Sequence, residues 1–199
     1  ADQLPGLTVD RFEDILSVQI LSLGMELRKE SIINSLIEVL RERKLSVSCV
    51  YERNDVKIRE LEGISIYKGF FKSPLLKEKE QKTIVHIVEN GITYNVDVEN
   101  GQKTGFFLDQ KFNRLAVGQI AKGKHVLDCF THTGAFALNA AKGGAASVTA
   151  VDISEEAVTM TQHNAVQNTY KIDVVKADVF DYLVTLDKTH NHFFDYIIL

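Results

Sequence analysis

The sequence predicts an α/β fold in which a parallel β-sheet with helices on both faces fills the second half of the chain, preceded by a small α+β domain. Two observations carry this. From His125 onward, apolar runs at 125–129, 147–151, 172–176 and 194–199 alternate with helical patterns at about 134–142, 154–168 and 178–187, and alternation of that kind builds parallel sheets. Before His125 the order differs: short strands surround one amphipathic helix, and Asn90-Gly91 stands between two alternating runs, as in tight hairpins.

The bulk numbers narrow the function classes. The 199 residues are 45% hydrophobic and 25% charged, enough apolar surface for a core and unlike a disordered chain. A net charge of −4 argues against gripping nucleic acid through bulk electrostatics, although a local basic patch is compatible with it. Cys49 and Cys129 lie far apart, which fits a reducing compartment and two core-packing thiols. No apolar run approaches the roughly 18 residues of a membrane span, and no signal peptide opens the chain, so a cytoplasmic location is expected. The chain begins with Ala and stops within the strand-like Phe194-Asp195-Tyr196-Ile197-Ile198-Leu199. A fragment of a longer protein is therefore expected.

Residues 1–80 are expected to form the α+β domain. Asp14 to Leu21 has strand character and ends at Gly24, and apolar residues from Met25 to Leu40 fall at helical spacing. Leu45 to Tyr51 and Ile64 to Phe70 read as further strands, the former ending at a turn at Asn54-Asp55, and the polar, Pro74-containing run from Phe71 to Lys82 as a linker. The mixture Tyr67-Lys68-Gly69-Phe70-Phe71-Lys72 fits a strand whose rings face the core better than an RNA-stacking surface. Residues 81–121 connect the domains. Thr83–Val88 and Ile92–Val98 pair as a hairpin; Asp109 then caps a helix to about Ala121, with Phe112, Leu115, Ala116 and Ile120 on its inner face. Residues 122–199 carry the parallel sheet.

The chemistry is expected between Lys124 and Asp152, which reads as one strand–turn–helix–turn–strand unit. Ligands bind outside the carboxyl ends of strands in such units. A helix starting just after Gly134 presents free backbone N–H groups, and Asp152 at the end of the second strand suits the two hydroxyls of a ribose. Asp128 precedes it by about 20 residues, the spacing such a ribose site expects. A dinucleotide site wants G-x-G-x-x-G for its pyrophosphate, whereas this turn keeps only Gly134. Asp128 would repel a pyrophosphate and would instead pair with a cationic ligand such as an amino group.

The run Asp128-Cys129-Phe130-Thr131-His132-Thr133-Gly134-Ala135-Phe136 resembles the first cofactor motif of class I S-adenosylmethionine-dependent methyltransferases. Within them it is similar to the D-L-F-S-Y-T-G-G-F of the bacterial 23S ribosomal RNA large-subunit methyltransferase I type. Gly101-Gln102-Lys103-Thr104-Gly105-Phe106-Phe107-Leu108-Asp109-Gln110 with Asn113-Arg114 resembles that family's G-x-K-T-G-x-F/Y-L-D-Q-R-x-N-R, and Leu4 to Arg11 its L-P-G-L-x-V/I-D-R. The three motifs keep the family's order and span nearly the whole chain. Lys111, Cys129, His132 and Ala135 depart from the usual Arg, Leu, Tyr and Gly, which bears on substrate preference more than on the cofactor.

The resemblance implies a Rossmann-like class I methyltransferase sheet, truncated to its first four parallel strands, and S-adenosyl-L-methionine as cofactor. It implies that Gly105, Phe107 and Asp109 line one side of the cofactor site with Arg114 nearby. Asp128, Phe130, Thr133 and Gly134 would wrap the methionine end, Asp152 would bind the ribose, and Asp178 would sit beside the adenine amino group as well as capping a helix. The substrate implied is 23S ribosomal RNA, with carbon 5 of cytosine as the methylated atom. An RNA-binding PUA domain would precede residue 1. An Asp-Pro-Pro motif and a nucleophilic cysteine would follow Leu199, so that this chain alone would bind cofactor without transferring methyl groups. No catalytic residue is expected within the chain, nor a membrane or metal partner; a homodimer is compatible with the sequence. His190-Asn191-His192 is expected to be an exposed loop, and His163 a surface residue. A dinucleotide-dependent oxidoreductase and a non-catalytic RNA-binding or assembly module are the alternative readings.

Overall fold

A computed structural model describes residues 3–77, 81–189 and 193–199, so His190-Asn191-His192 lies outside the described residues. The chain folds as two units: Ala1–Ile87 with Val96–Phe107, and Val88–Asn95 with Leu108–Leu199.

In the first unit β1 (Leu7–Phe12), β2 (Ile15–Ile20), β3 (Cys49–Asn54) and β4 (Tyr67–Phe70) form a sheet in the order β1-β2-β3-β4. β2 and β3 run parallel and the outer pairs antiparallel. The parallel pair needs a crossover, supplied by α1 (Leu23–Glu26) and α2 (Lys29–Glu42). Ile33 and Ile37 of α2 pack on Leu16, Val18, Ile20 and Val50 of the sheet. Phe71 joins that core and Phe70 stands edge-on to Tyr51, so the aromatic run is partly structural, as its strand pattern suggested.

The helix and β3 depart from their expected bounds, and in both places polar side chains find partners. The helix expected from Met25 to Leu40 breaks at Leu27-Arg28, and Lys29 then reaches Tyr67 Oη at 2.6 Å and Glu26 and Glu52 at 3.1 Å. Desolvation alone would weaken the Lys29 charge, but those hydrogen bonds hold its pKa above the usual lysine value. The strand read from Leu45, with its turn at Asn54-Asp55, starts at Cys49 and ends at Asn54 as expected. Its last residues stay buried because Glu52 meets Lys29 and Tyr67, Arg53 donates to the carbonyls of Val98 and Gly101, and Asn54 accepts from Ile20 N. Between β3 and β4 a 3-10 segment, Lys57–Glu62, buries Arg59, which donates to Glu26, Ser65 O and Ile20 O.

β5 (Ile84–Glu89) and β6 (Ile92–Asp97) make the expected hairpin. Asn90 (φ 52°) and Gly91 (φ 70°) take the left-handed turn that this dipeptide favours.

The second unit holds α3 (Lys111–Ile120), β7 (His125–Cys129), α4 (Ala135–Lys142), β8 (Ser147–Asp152), α5 (Glu155–Gln167), β9 (Asp173–Lys176), α6 (Val179–Lys188) and β10 (Tyr196–Ile198). The four strands are parallel in the order β10-β7-β8-β9. Their side chains alternate between two apolar layers. Val126, Val148 and Ala150 pack with Val117 of α3 and Ala137 and Ala140 of α4; Leu127, Cys129 and Val151 pack with Val179 of α6. Gly118 of α3 lets that helix lie on α4, since a Cβ there would stand 2.9 Å from Asn139 O.

The face of α3 differs from the expectation. Phe112 is 75% exposed, and Leu115, Ala116 and Ile120 are exposed too, whereas Arg114 and Val117 are buried. Asp109 does not cap the helix; it lies in a 3-10 turn, Leu108–Gln110, and Gln110 takes the N-cap position. Arg114 goes inside because Glu89 meets it with two hydrogen bonds, 2.7 and 3.1 Å, a bidentate pairing that offsets desolvation of both charges. Removing that carboxylate by Glu89→Ala is expected to cost about 3 kcal/mol, read as a lowered urea midpoint at unchanged m-value.

Candidate functional site

The turn after β7 has an unusual backbone. Phe130 (φ 58°), His132 (φ 53°) and Gly134 (φ 77°) are all left-handed, a conformation that costs a non-glycine residue about 1–3 kcal/mol. Hydrogen bonds from three directions hold it. Thr131 N donates to Val151 O (3.1 Å) and His132 N to Asp152 Oδ2 (2.9 Å), tying the turn to β8. Thr161 Oγ1 donates to His132 O (2.9 Å) and Asn164 Nδ2 to Thr133 O (3.0 Å), tying it to α5. Gly134 N closes the turn on Thr131 O (2.9 Å). A Cβ on Gly134 would lie 2.6 Å from Thr161 Cγ2, so both the φ and the packing require glycine there.

Asp128, 1% exposed, points its Oδ2 into this turn and accepts from Thr131 Oγ1 at 2.6 Å and Ala137 N at 3.0 Å. Burial pushes its carboxyl up to about 6, against the pull of those two hydrogen bonds and with a further push from the Asp152 charge. On the next strand Asp152 spreads its two oxygens, Oδ2 on His132 N and Oδ1 on Ser154 N at 3.0 Å. After β9, Asp178 caps α6, its Oδ1 accepting from Phe180 N (2.8 Å) and Asp181 N (3.2 Å). Three carboxylates thus stand at the carboxyl ends of three adjacent parallel strands, the place where α/β sheets bind ligands. Phe130 and Phe180 flank them, 52% and 68% exposed, with ring centroids 5.8 Å apart.

Of the residues expected to bind cofactor, Asp128, Phe130, Thr133, Gly134, Asp152 and Asp178 gather in the second unit around this turn. Asp109 and Arg114 fold with the same unit, Asp109 exposed beside Gln110 and Arg114 engaged by Glu89. Gly105 and Phe107 fold with the first unit: Gly105 takes φ 131° against Val96, and Lys103 lies 4.6 Å from the Phe107 ring. Sequence reasoning missed Thr161 and Asn164, which hold the turn's carbonyls, and Phe180. Cys129 is buried beneath the site, where burial and then the Asp128 charge push its thiol pKa up; it packs the core. Among the described residues no group of three His, Cys, Asp or Glu side chains could hold a metal, and no helix is long and apolar enough to cross a membrane.

Two outcomes follow. Gly134→Ala is expected to lower stability by about 2–3 kcal/mol, and Thr161→Ser, which removes the clashing methyl, recovers part of the loss in a double-mutant cycle. A carboxyl whose folded pKa of about 6 exceeds its ordinary 3.8 binds its proton more tightly in the folded state. Stability therefore falls as pH rises from about 4 to about 6, by at most about 3 kcal/mol. Denaturation of Asp128→Asn across that range should lack this component.

Comparison with known proteins bears on the site. The model of a family described as S-adenosylmethionine-dependent methyltransferase matches residues 73–194. The ribosomal RNA large subunit methyltransferase I of Shewanella amazonensis is 41% identical over 202 residues, covering 100% of this chain and 48% of that protein. A solved Streptococcus mutans chain, provisionally described as an S-adenosylmethionine-dependent methyltransferase, superposes with a TM-score of 0.79 at 28% identity, covering 98% of this chain and 48% of its own. A further solved chain, provisionally a methyltransferase and complexed with S-adenosylhomocysteine, matches with the same score and identity over 98% of this chain and 47% of its own. The chain spans about half the length of the curated relatives it matches.

Proposed function

We propose that this chain, which belongs to the S-adenosylmethionine-dependent methyltransferase family, holds the methionine end of that cofactor on the turn after β7 and its ribose on Asp152. The observation that carries the reading is Asp128. Both of its hydrogen bonds fall on Oδ2, which leaves Oδ1 for a ligand, and a buried carboxylate is stabilised by a cation such as the methionine ammonium. Asp152 accepts from the two ribose hydroxyls with lone pairs its backbone partners leave over. Asp178 Oδ2, free of the cap, takes the adenine amino group. Phe130 and Phe180 offer apolar surface to the ring. A turn with one glycine gives a pyrophosphate no cradle, which favours this cofactor over a dinucleotide.

When bound, the cofactor supplies a methyl group on a positively charged sulfur, ready for transfer to a nucleophile. The residues here bind and orient it: Asp128 fixes its methionine end and Asp152 its ribose, and the left-handed turn sets the distance between them. For the acceptor we take a base of large-subunit 23S ribosomal RNA, with carbon 5 of cytosine as the finer reading, and a cytoplasmic site of action follows from that substrate. The support is the name carried by relatives such as the Shewanella protein together with the motif resemblance in the sequence.

Calorimetric titration tests the cofactor. S-adenosylhomocysteine is expected to bind in the micromolar range at pH 8 and NAD to give no heat; the reverse would overturn the reading. Because Asp128 must be charged to hold an ammonium, affinity should fall as pH drops through about 6. Asp128→Asn should weaken binding at pH 8 by about tenfold or more and flatten that pH dependence.

A further inference from the structure

The edge of the hairpin meets α5 through asparagines. Asn168 accepts from Thr93 N at 2.9 Å and donates to Thr93 O at 2.6 Å, so one side-chain amide satisfies both backbone groups of an edge residue as a neighbouring strand would. Two residues further along β6, Asn95 donates to Asn164 Oδ1 twice, from its backbone N at 2.9 Å and from Nδ2 at 3.0 Å. Asn164 is fully buried, and its own Nδ2 donates to Thr133 O at 3.0 Å. A carboxamide has one acceptor and one donor end in a fixed plane. With Oδ1 held by two donors on β6, its Nδ2 can only face the turn.

We infer that Asn164 is a positioning residue for the cofactor turn and that Asn95 of β6 sets its orientation. This rests on the cofactor reading above. Thr133 lies between left-handed His132 and Gly134, so its carbonyl direction fixes the peptide plane that leads into Gly134 and the start of α4. Thr161, one helical turn before Asn164, holds the preceding carbonyl, that of His132, at 2.9 Å. Only the Asn164 bond is itself held from the hairpin. β6 of the hairpin is therefore part of the cofactor site without touching it, and displacing Asn95 releases the Thr133 carbonyl.

Two variants of the full chain separate positioning from stability. Asn95→Ala removes the side-chain bonds to Asn164 Oδ1 and Gln167 Oε1 and leaves the backbone N–H bond, whereas Asn168→Ala removes the bonds to Thr93 and to the backbone carbonyl of Asn164, none of which reaches the turn. Asn95→Ala is expected to weaken S-adenosylhomocysteine by about threefold to tenfold and to shift the backbone amide resonances of Thr133 and Gly134 in nitrogen-15 correlation spectra. Asn168→Ala should lower the melting temperature comparably and do neither. Asn164→Asp, which keeps the acceptor and loses the donor at pH 8, should reproduce both effects of Asn95→Ala more strongly. Equal loss of affinity in the Asn95 and Asn168 variants, or unmoved Thr133 and Gly134 resonances in Asn95→Ala, would overturn the inference. The resonance test needs no ligand, so a wild-type chain that failed to bind S-adenosylhomocysteine would sink the cofactor reading and leave the linkage measurable.

Discussion

The hydrogen bonding of four turn residues, Thr131 to Gly134, is the constraint on which the rest of the second unit depends. Left to itself, a chain with phenylalanine and histidine in the left-handed region would relax. Here β8 supplies a carbonyl and the Asp152 carboxylate, α5 supplies Thr161 and Asn164, and β7 supplies Asp128 through Thr131. The partners come from three different elements, so the turn is defined only when the strands are in register and α5 is docked. A turn built this way has its ordering cost met by folding, which is what preorganises the proposed cofactor site.

That arrangement explains why polar residues occupy positions that packing alone would give to leucine. α5 buries Thr161 and Asn164 beside Ala157, Val158 and Ala165, because the carbonyls it covers need donors more than they need apolar surface. The same rule operates in the first unit, where Arg59, Lys29, Glu26, Glu52 and Tyr67 satisfy one another under β3 and β4. In both units the buried polar groups bond to partners distant in sequence, which specifies one packing where apolar contacts would tolerate several.

The split between what was legible in the sequence and what was not follows the same line. The second half was readable to within about two residues at most boundaries: its central strands β7 and β8 are buried on both faces and appear as plain apolar runs closed by Asp128 and Asp152. The Asn90-Gly91 hairpin was readable from local turn chemistry. The inner face of α3 was not, because Arg114 counts as surface in any periodicity argument until Glu89, 25 residues away, is placed beside it. The break before Lys29 was hidden for the same reason. Asp128, Gly134 and Asp152 could be singled out since a turn and a strand end are local features. Thr161 and Asn164 left one faint signal, polar residues at spacings of three and four, with Asn168, on the helix face that should be apolar.

In the proposed cofactor site the turn after β7 receives S-adenosylmethionine through Asp128 and Asp152 in the backbone it already has. A crystal structure of the chain with S-adenosylhomocysteine measures this directly. The account predicts the ligand ammonium at about 3 Å from Asp128 Oδ1 and both ribose hydroxyls on Asp152, with Phe130, His132 and Gly134 still left-handed. A ligand seated away from these carboxylates, or a turn that rebuilds to receive it, would contradict the account.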